Sequence, residues 1–200
     1  MAKANWVNVT PSTGSGNATV NVSSNNPHTG RKARTTTLTW KAANIEDQTR
    51  TVSQAGKPEY VDIADNAVSD QAGQVVTISG ISNSAKLTFA LGSGDLQISL
   101  PSKYTANSQQ TVNGVAISGD PGAVAEYNFS ITVTVPANTG TSALTRQIVV
   151  TNEAGQKDTC TLTLAAGSAY LEITLGDIEL GWEGKPVTVQ VQSNTTWEII

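Results

Sequence analysis

The chain has 200 residues and a formal net charge of −4 at pH 7, which suits one or two domains and disfavours nucleic-acid binding through phosphate contacts. It has one cysteine and one histidine, which excludes an intrachain disulfide and nearly excludes a catalytic triad. Val, Thr, Ile and Ser abound. Because β-branched side chains fit a pleated surface, this composition favours strands over helices.

Residues 1–57 predict a first β-module that lacks its opening strands. Alternating polar and apolar residues are typical of half-buried strands. Such alternation predicts strands over Trp6–Thr10, Ala18–Ser23, Arg34–Lys41 and Thr49–Gln54. Between the last two strands, Asn44–Asp47 predicts a hairpin connection.

Residues 59–167 predict a second module, which opens with Tyr60-Val-Asp-Ile63 and contains an insertion over residues 95–126. Within the insertion, Leu96–Leu100 predicts a strand. The polar segment Tyr104–Asn113 predicts either an exposed hairpin or a surface that contacts a partner. Alternation predicts further strands over Val75–Ser79, Lys86–Leu91, Tyr127–Val135, Arg146–Thr151 and Thr159–Leu164.

Residues 168–200 predict the opening strands of a third module. Tyr170-Leu-Glu-Ile173 parallels the opening of the second module, and Val187-Thr-Val189 parallels Val76-Thr-Ile78. Ser193-Asn194 parallels Ser82-Asn83 at an offset of 111 (193 − 82). These parallels indicate a chain built by repeating one all-β module.

A longer motif also recurs, in which a strand ending in Val-x-x-Asn is followed by a loop and an arginine. The copies are Val22…Asn25…Arg34 and Val135…Asn138…Arg146. Asparagine to arginine spans nine residues in the first copy (34 − 25) and eight in the second (146 − 138). The spacing supports a tandem repeat but names no ligand or reaction.

The two ends of the chain carry different parts of the module. A sandwich that lacks strands leaves open edges, which favours pairing with another chain. We therefore expect residues 168–200 and 1–57 to complement each other, between subunits or within one looped chain. The alternative is that the first module suffices alone and that more protein follows Ile200. The candidate subunit-completing residues are Trp6, Val7, Val9, Trp197 and Ile199.

Residue types that carry catalysis are sparse, so we expect no enzyme, cofactor or metal site. Cys160 alternates with threonines on a predicted strand and is expected to be a buried thiol, while His28 is expected in a surface loop. Asp95 and Asp120 bracket the insertion and could form a hydrolytic pair only if the fold brought them together.

Four tryptophans offer stacking surfaces for sugar rings. Trp6 and Trp197 occupy matching positions and are expected to pack in a core. Trp40 and Trp182 are the candidates for glycan stacking, since Trp40 alternates with threonines and Trp182 lies in a predicted turn.

The N-terminus has no apolar run after its first charge, so we expect no secretory signal, and no stretch is expected to span a bilayer. Either a signal has been removed, or the protein is made in the cytosol. The opening Met-Ala-Lys favours the second.

Residues 1–57 combine Trp6, Gly14-Ser-Gly16, the Asn25…Arg34 spacing and the closing Val52-Ser-Gln54-Ala-Gly56. On these residues the chain resembles the BACON family (Bacteroidetes-associated, carbohydrate-binding, often N-terminal), and the resemblance is fullest over 1–57. It covers 59–167 in outline, where Leu164 replaces the closing glutamine, and the opening of the pattern in 168–200. It implies tandem immunoglobulin-like β-sandwiches.

BACON modules occur in glycan-degrading surface proteins and in virion proteins of phages of the Bacteroidetes, including crAss-like phages. Because we expect no secretion signal or enzyme domain beside the modules in this sequence, we expect the second kind: a non-enzymatic virion protein, a capsid decoration or head-fibre subunit at the virion surface. Its expected partners are other virion proteins, copies of itself and glycans, without nucleic acid or membrane. The alternative is a carbohydrate-binding module of a glycan-processing protein at the bacterial cell surface.

Overall fold

Strands dominate the computed structural model, which describes residues 3–200. The strands are β1 Val7–Thr10, β2 Asn21–Ser24, β3 Arg34–Ala42, β4 Ile45–Gln54, β5 Val61–Ile63, β6 Asn66–Ser69, β7 Val75–Ser82, β8 Leu87–Gly94, β9 Lys103–Ala106, β10 Gln109–Val112, β11 Tyr127–Thr134, β12 Leu144–Asn152, β13 Lys157–Leu164, β14 Leu171–Ile173 and β15 Val191–Ser193. A 3-10 helix covers Pro121–Ala123. The predicted all-β class is confirmed. No helix within residues 3–200 is long and apolar enough to cross a membrane.

Residues 59–167 form the central sandwich, whose two sheets have the strand orders β10-β9-β11-β7-β5 and β6-β13-β12-β8. This order matches the two-sheet arrangement of an immunoglobulin-type sandwich. The chain crosses from one sheet to the other between β5 and β6. Ala64 N–H donates to Ser79 O in the first sheet at 3.0 Å, and Thr161 N–H donates to Asp65 O in the second at 2.8 Å. Because of this crossing, β6 pairs with β13 in parallel, whereas the other strand pairs of the central sandwich are antiparallel.

The core of the central sandwich consists of 19 buried apolar side chains drawn from both sheets. At its centre, the ring centroid of Phe89 lies 5.0 Å from that of Tyr104 and 5.8 Å from that of Phe129. Ile148 and Leu162, on adjacent strands, are fully buried against them. Removing this apolar area from water supplies the main favourable free energy, at roughly 25 cal/mol per Å².

The insertion over residues 95–126 differs from its prediction. Leu96–Leu100 forms no strand, although Leu96 is buried and its carbonyl accepts Arg146 Nε–H at 2.8 Å. The predicted exposed hairpin exists as β9–β10, turning at Asn107 and Ser108, which both have left-handed φ angles of 47° and 63°. However, its Tyr104 and Ala106 are buried in the core. One face of the hairpin therefore completes a sheet rather than standing free.

The N-terminal segment, residues 3–57, contains a β1–β2 ribbon and a β3–β4 hairpin. Its buried apolar side chains are Val7 and Leu38, two against the 19 of the central core. The hairpin turn lies at residues 43–44, where Asn44 has a φ of 61°. The expected connection over Asn44–Asp47 is thus too long, because β4 already begins at Ile45.

The C-terminal segment, residues 168–200, pairs only β14 with β15 among its described strands. The expected strand at Val187–Val189 is absent. No residue of this segment is buried. Its apolar side chains therefore have no core of their own.

Candidate interaction surfaces

A buried asparagine at the end of β7 ties the N-terminal segment to the central sandwich. Asn83 is 0% exposed. Its Nδ2 donates to the carbonyls of Thr29 and Pro58, both at 3.2 Å, and its Oδ1 accepts Tyr60 N–H at 2.9 Å. One amide side chain thus satisfies backbone groups from three parts of the chain. Buried polar groups left without such partners are costly, so this contact fixes the junction.

A partly exposed ion pair lies at the same junction. The Arg31 guanidinium donates to both carboxylate oxygens of Asp120 at 2.7 and 2.6 Å and to the Asn83 carbonyl at 3.0 Å. The Arg31 and Asp120 side chains are 17% and 32% exposed. Hydrogen bonding from Arg31 lowers the pKa of Asp120, and the pKa of Arg31 is raised by the same contact. Bidentate pairing also fixes orientation, because the planar fork matches the carboxylate.

The backbones at this junction touch directly. A Cβ on Gly30 would lie 2.3 Å from the carbonyl carbon of Val124, and a Cβ on Gly122 would lie 2.0 Å from the carbonyl oxygen of Asn83. The Arg31 N–H donates to the Gly122 carbonyl at 2.9 Å. Side chains at these two glycines would force the segments apart.

Acidification should loosen this junction through Asp120. A carboxyl whose pKa is lowered by folding contributes stability that is complete above its unfolded pKa of about 3.9 and is lost as pH falls through the folded value. We expect the free energy of unfolding to fall more between pH 6 and pH 2.5 in the wild type than in Asp120→Asn. Denaturant titrations across this range measure the difference. Equal pH slopes for the two proteins would contradict the assignment.

The asparagine clasp recurs between the central sandwich and the C-terminal segment. Asn194 Nδ2 donates to the carbonyls of Thr139 at 2.9 Å and Ser168 at 3.0 Å, and its Oδ1 accepts Tyr170 N–H at 3.0 Å. The donors and acceptors match those of the first junction at offsets of 110 or 111 (139 − 29; 170 − 60; 194 − 83). The tyrosines and the Ser-Asn pairs of the predicted repeat therefore lie at corresponding points of the two junctions.

A third signal of the repeat was missed, the Thr-Gly dipeptides at residues 29–30 and 139–140. Lys57 N–H donates to the Gly30 carbonyl at 2.9 Å, and Gly167 N–H donates to the Gly140 carbonyl at 2.7 Å. The first strands of the β3–β4 and β12–β13 hairpins also match. Strand β12 begins 110 residues after β3 begins (144 − 34) and ends 110 residues after β3 ends (152 − 42). The structural repeat therefore has a period of 110 residues across both junctions.

The Val-x-x-Asn motif does not share this geometry in its two copies. Asn25 Nδ2 donates to the Asn5 carbonyl at 2.8 Å. Asn138 Nδ2 instead donates to the carbonyls of Ser142 at 2.8 Å and Ala165 at 2.9 Å. Both asparagines join loop backbone, but to different elements.

The arginines of the motif also act differently. The Arg34 guanidinium lies over the Trp6 ring, 4.7 Å from its centroid, and Nε donates to Gln54 Oε1 at 2.9 Å. Arg146 donates to the carbonyls of Leu96 and Gly92. Trp6 is partly buried, and Arg34 covers its ring through a cation–π contact.

A groove of about 740 Å³ opens beside the β1–β2 ribbon and the β3–β4 hairpin of the N-terminal segment. Its apolar lining includes Val9, Val20, Leu38 and Trp40. The charged residues that line it are Lys3 and Lys41. Trp40 is 41% exposed, so the groove presents an aromatic face to solvent.

The other predicted site residues are scattered. Trp182 is 96% exposed, and Trp197 and Ile199 are also exposed. Trp197 and Ile199 lie outside any strand. Val7 is fully buried, and it lies on β1 of the β1–β2 ribbon. Strand pairing within residues 3–200 does not join the two ends of the chain.

Groups with catalytic chemistry are dispersed or masked by other contacts. His28 Nε2 lies 2.7 Å from the Lys32 carbonyl. Asp95 accepts Thr145 N–H at 2.8 Å, while Asp120 is bound to Arg31. Within residues 3–200 no three His, Cys, Asp or Glu side chains lie close enough together to hold a metal ion.

Cys160 is fully buried, and burial raises the pKa of its thiol to about 11. The thiolate is the reactive form, so we expect negligible reaction with a disulfide-exchange reagent at pH 8 in the folded protein. In concentrated guanidinium, the unfolded protein should react rapidly and release one equivalent of the reagent's leaving thiol per chain. A fast reaction under native conditions would show that this strand opens readily.

No protein-family model matches the chain, and no curated protein sequence matches it. A solved structure that it resembles is an endo-fucoidan hydrolase of glycoside hydrolase family 107, with 10% sequence identity and a TM-score of 0.34. The match covers 82% of this chain and 22% of the hydrolase chain. At this level the likeness carries no functional argument.

Proposed function

We propose that this protein is a non-enzymatic virion structural protein, a capsid decoration or head-fibre subunit of a Bacteroidetes phage. It is made in the host cytoplasm and acts at the virion surface. Its modules are 1–57, 59–167 and 168–200, each related to the BACON pattern. Its partners are other virion proteins and copies of itself, with glycans as additional ligands.

The observation that carries this proposal is the repeated junction. The Asn83 side chain and the Arg31–Asp120 ion pair hold the N-terminal segment against the central sandwich. Asn194 repeats the clasp 111 residues later (194 − 83). Polar contacts hold successive units together at both junctions, buried at Asn83 and exposed at Asn194. A chain held in this way is suited to project from a particle as a semi-rigid spacer.

The test uses purified particles of a phage that encodes this chain. Antibodies against the protein should label the capsid surface at regular positions, and the protein should co-purify with particles through a density gradient. Capsid, portal and terminase genes should lie beside its gene. Its absence from particles, with recovery in the cell envelope, would contradict the virion role.

A specific observation favours the second candidate, a carbohydrate-binding module of a cell-surface glycan-processing protein. Trp40 lines the groove and Trp182 is almost fully exposed. Exposed indole rings stack on the apolar faces of sugars, and many weak contacts gain strength from multiple copies. A glycan array should then give signals that Trp40→Ala or Trp182→Ala abolishes, while Val75→Ala, also exposed, leaves them unchanged. Silence across host and plant polysaccharides would exclude this candidate.

A further inference from the structure

The C-terminal segment exposes far more apolar surface than its length accounts for. It holds 11 of the 20 large apolar side chains that are exposed within residues 3–200, although it covers only residues 168–200. Exposed apolar clusters of this kind mark interaction surfaces or aggregation liabilities.

These side chains repeat a pattern that is buried in the central sandwich. Ile173 matches Ile63 at an offset of 110 (173 − 63), and Val187 matches Val76 at an offset of 111 (187 − 76). Ile63 is 1% exposed and Ile173 is 58% exposed. The segment therefore exposes side chains whose matching positions in the central sandwich are buried.

The N-terminal segment contains an apolar groove beside a hairpin that matches one of the central sandwich. Its closing hairpin, β3–β4, matches β12–β13, and the groove beside it is lined by half-buried Val9 and Val20 and by exposed Trp40. In the central sandwich, apolar residues of β5 and β7 pack against the matching hairpin, as the shared core of Ile63, Ile78 and Ile148 shows. The groove is thus an apolar face that opening strands of the same repeat would cover.

Charge favours the same pairing. Residues 1–57 contain seven Lys and Arg and two Asp and Glu, a net charge of +5 (7 − 2). Residues 168–200 contain one Lys and five Asp and Glu, a net charge of −4 (1 − 5). Lys3 and Lys41 line the groove, while Glu172 lies on β14. Opposite charge steers association and suppresses wrong registers.

The two segments are held at opposite ends of the central sandwich, and strand pairing within residues 3–200 does not join them. The N-terminal segment is clasped at Asn83, after the end of β7, and the C-terminal segment at Thr139, after the end of β11. Because β7 and β11 are antiparallel, these points lie at opposite ends of the sandwich, roughly 25 Å apart for strands of this length. This placement favours contact between two copies over contact within one.

We propose that residues 170–189 of one copy dock in the N-terminal groove of a second copy, joining the copies head to tail. The inference rests on the proposed structural role and names one partner for it. Each copy has one donor segment and one groove, so the contact is heterologous and generates chains or closed rings.

The test uses the full chain and two variants at exposed positions. Ile173→Asp damages the donor, and Trp40→Asp damages the groove. Light scattering after size exclusion should show a wild-type mass that rises with concentration, or a closed ring, while each variant alone is monomeric. An equimolar mixture should give 1:1 dimers and nothing larger, because only the Trp40→Asp donor and the Ile173→Asp groove remain intact.

Val68→Asp is the matched control, since Val68 is exposed on the central sandwich, and it should assemble like the wild type. Protection of the Cys160 thiol verifies that the central sandwich of every variant is folded, and the circular dichroism spectrum of each variant should match that of the wild type. A wild type that stays monomeric at all concentrations overturns the inference. Assembly of Ile173→Asp alone or of Trp40→Asp alone also overturns it, as does an equimolar mixture of the two that stays monomeric. None of these results decides whether the protein is found on virions, so the two proposals fail separately.

Discussion

Phe129→Ala is expected to lower the free energy of unfolding by about 3–5 kcal/mol, the range for a buried aromatic truncated in a packed core. Phe129 is buried on β11, the middle strand of the five-stranded sheet. Its ring meets Phe89 edge-on, with an interplanar angle of 65°. Truncation removes this contact and leaves a cavity. Because both sheets hold the surrounding side chains in place, these side chains cannot move to fill the cavity without losing contacts elsewhere.

Guanidinium titrations followed by circular dichroism measure this loss. Val75→Ala is the control, because Val75 lies on the neighbouring strand β7 with its side chain exposed. Surface substitutions of this kind change stability by less than about 0.5 kcal/mol. A loss below about 1 kcal/mol for Phe129→Ala would mean that the core is loosely packed, since burial alone is worth more than that.

Asn83→Ala is expected to cost about 2–4 kcal/mol, because each buried polar group left unpaired costs about 1–3 kcal/mol. The substitution removes the acceptor for Tyr60 N–H and the donor to the Thr29 and Pro58 carbonyls. Water cannot easily replace the amide, since Asn83 is fully buried. Hydrogen exchange at the Tyr60 amide should accelerate together with the loss of global stability.

Asn194→Ala supplies a matched comparison within the same chain. It removes the same three kinds of hydrogen bond, but at an exposed junction where water can substitute. We expect little change in the stability of the central sandwich and faster exchange at the Tyr170 amide. Equal destabilisation by the two substitutions would show that burial is not the cause of the Asn83 effect.

Local patterns predicted the features that depend on local alternation. The all-β class, most strands of the central sandwich and the buried state of Cys160 follow from β-branched residues alternating with polar ones. Strand β6 shows where such patterns fail, since its Val68 is exposed while Ser69 is buried. There the parallel pairing with β13 decides which face points inward.

Contacts between distant parts of the chain were not predictable. Arg31 and Asp120 are separated by 89 residues, and neither lies in a recognisable motif. Leu96–Leu100 alternates like a strand but is drawn into the core by Leu96 and held by Arg146. The 110-residue period was partly visible in the sequence, in the matched tyrosines and Ser-Asn pairs. The Asn…Arg spacing also suggested a repeat, but its asparagines and arginines contact different elements in the two copies.

The parallel pairing of β6 with β13 governs how the central sandwich would bear a pulling force. Thr161 faces Asn66 and Leu164 faces Ser69, so the two strands leave their ladder in the same direction. Tension applied through the N-terminal segment pulls β6 backwards, and tension through the C-terminal segment pulls β13 forwards. The ladder is then loaded in shear, with its hydrogen bonds strained together rather than peeled one by one. An array of such units would resist flow and collision along its length.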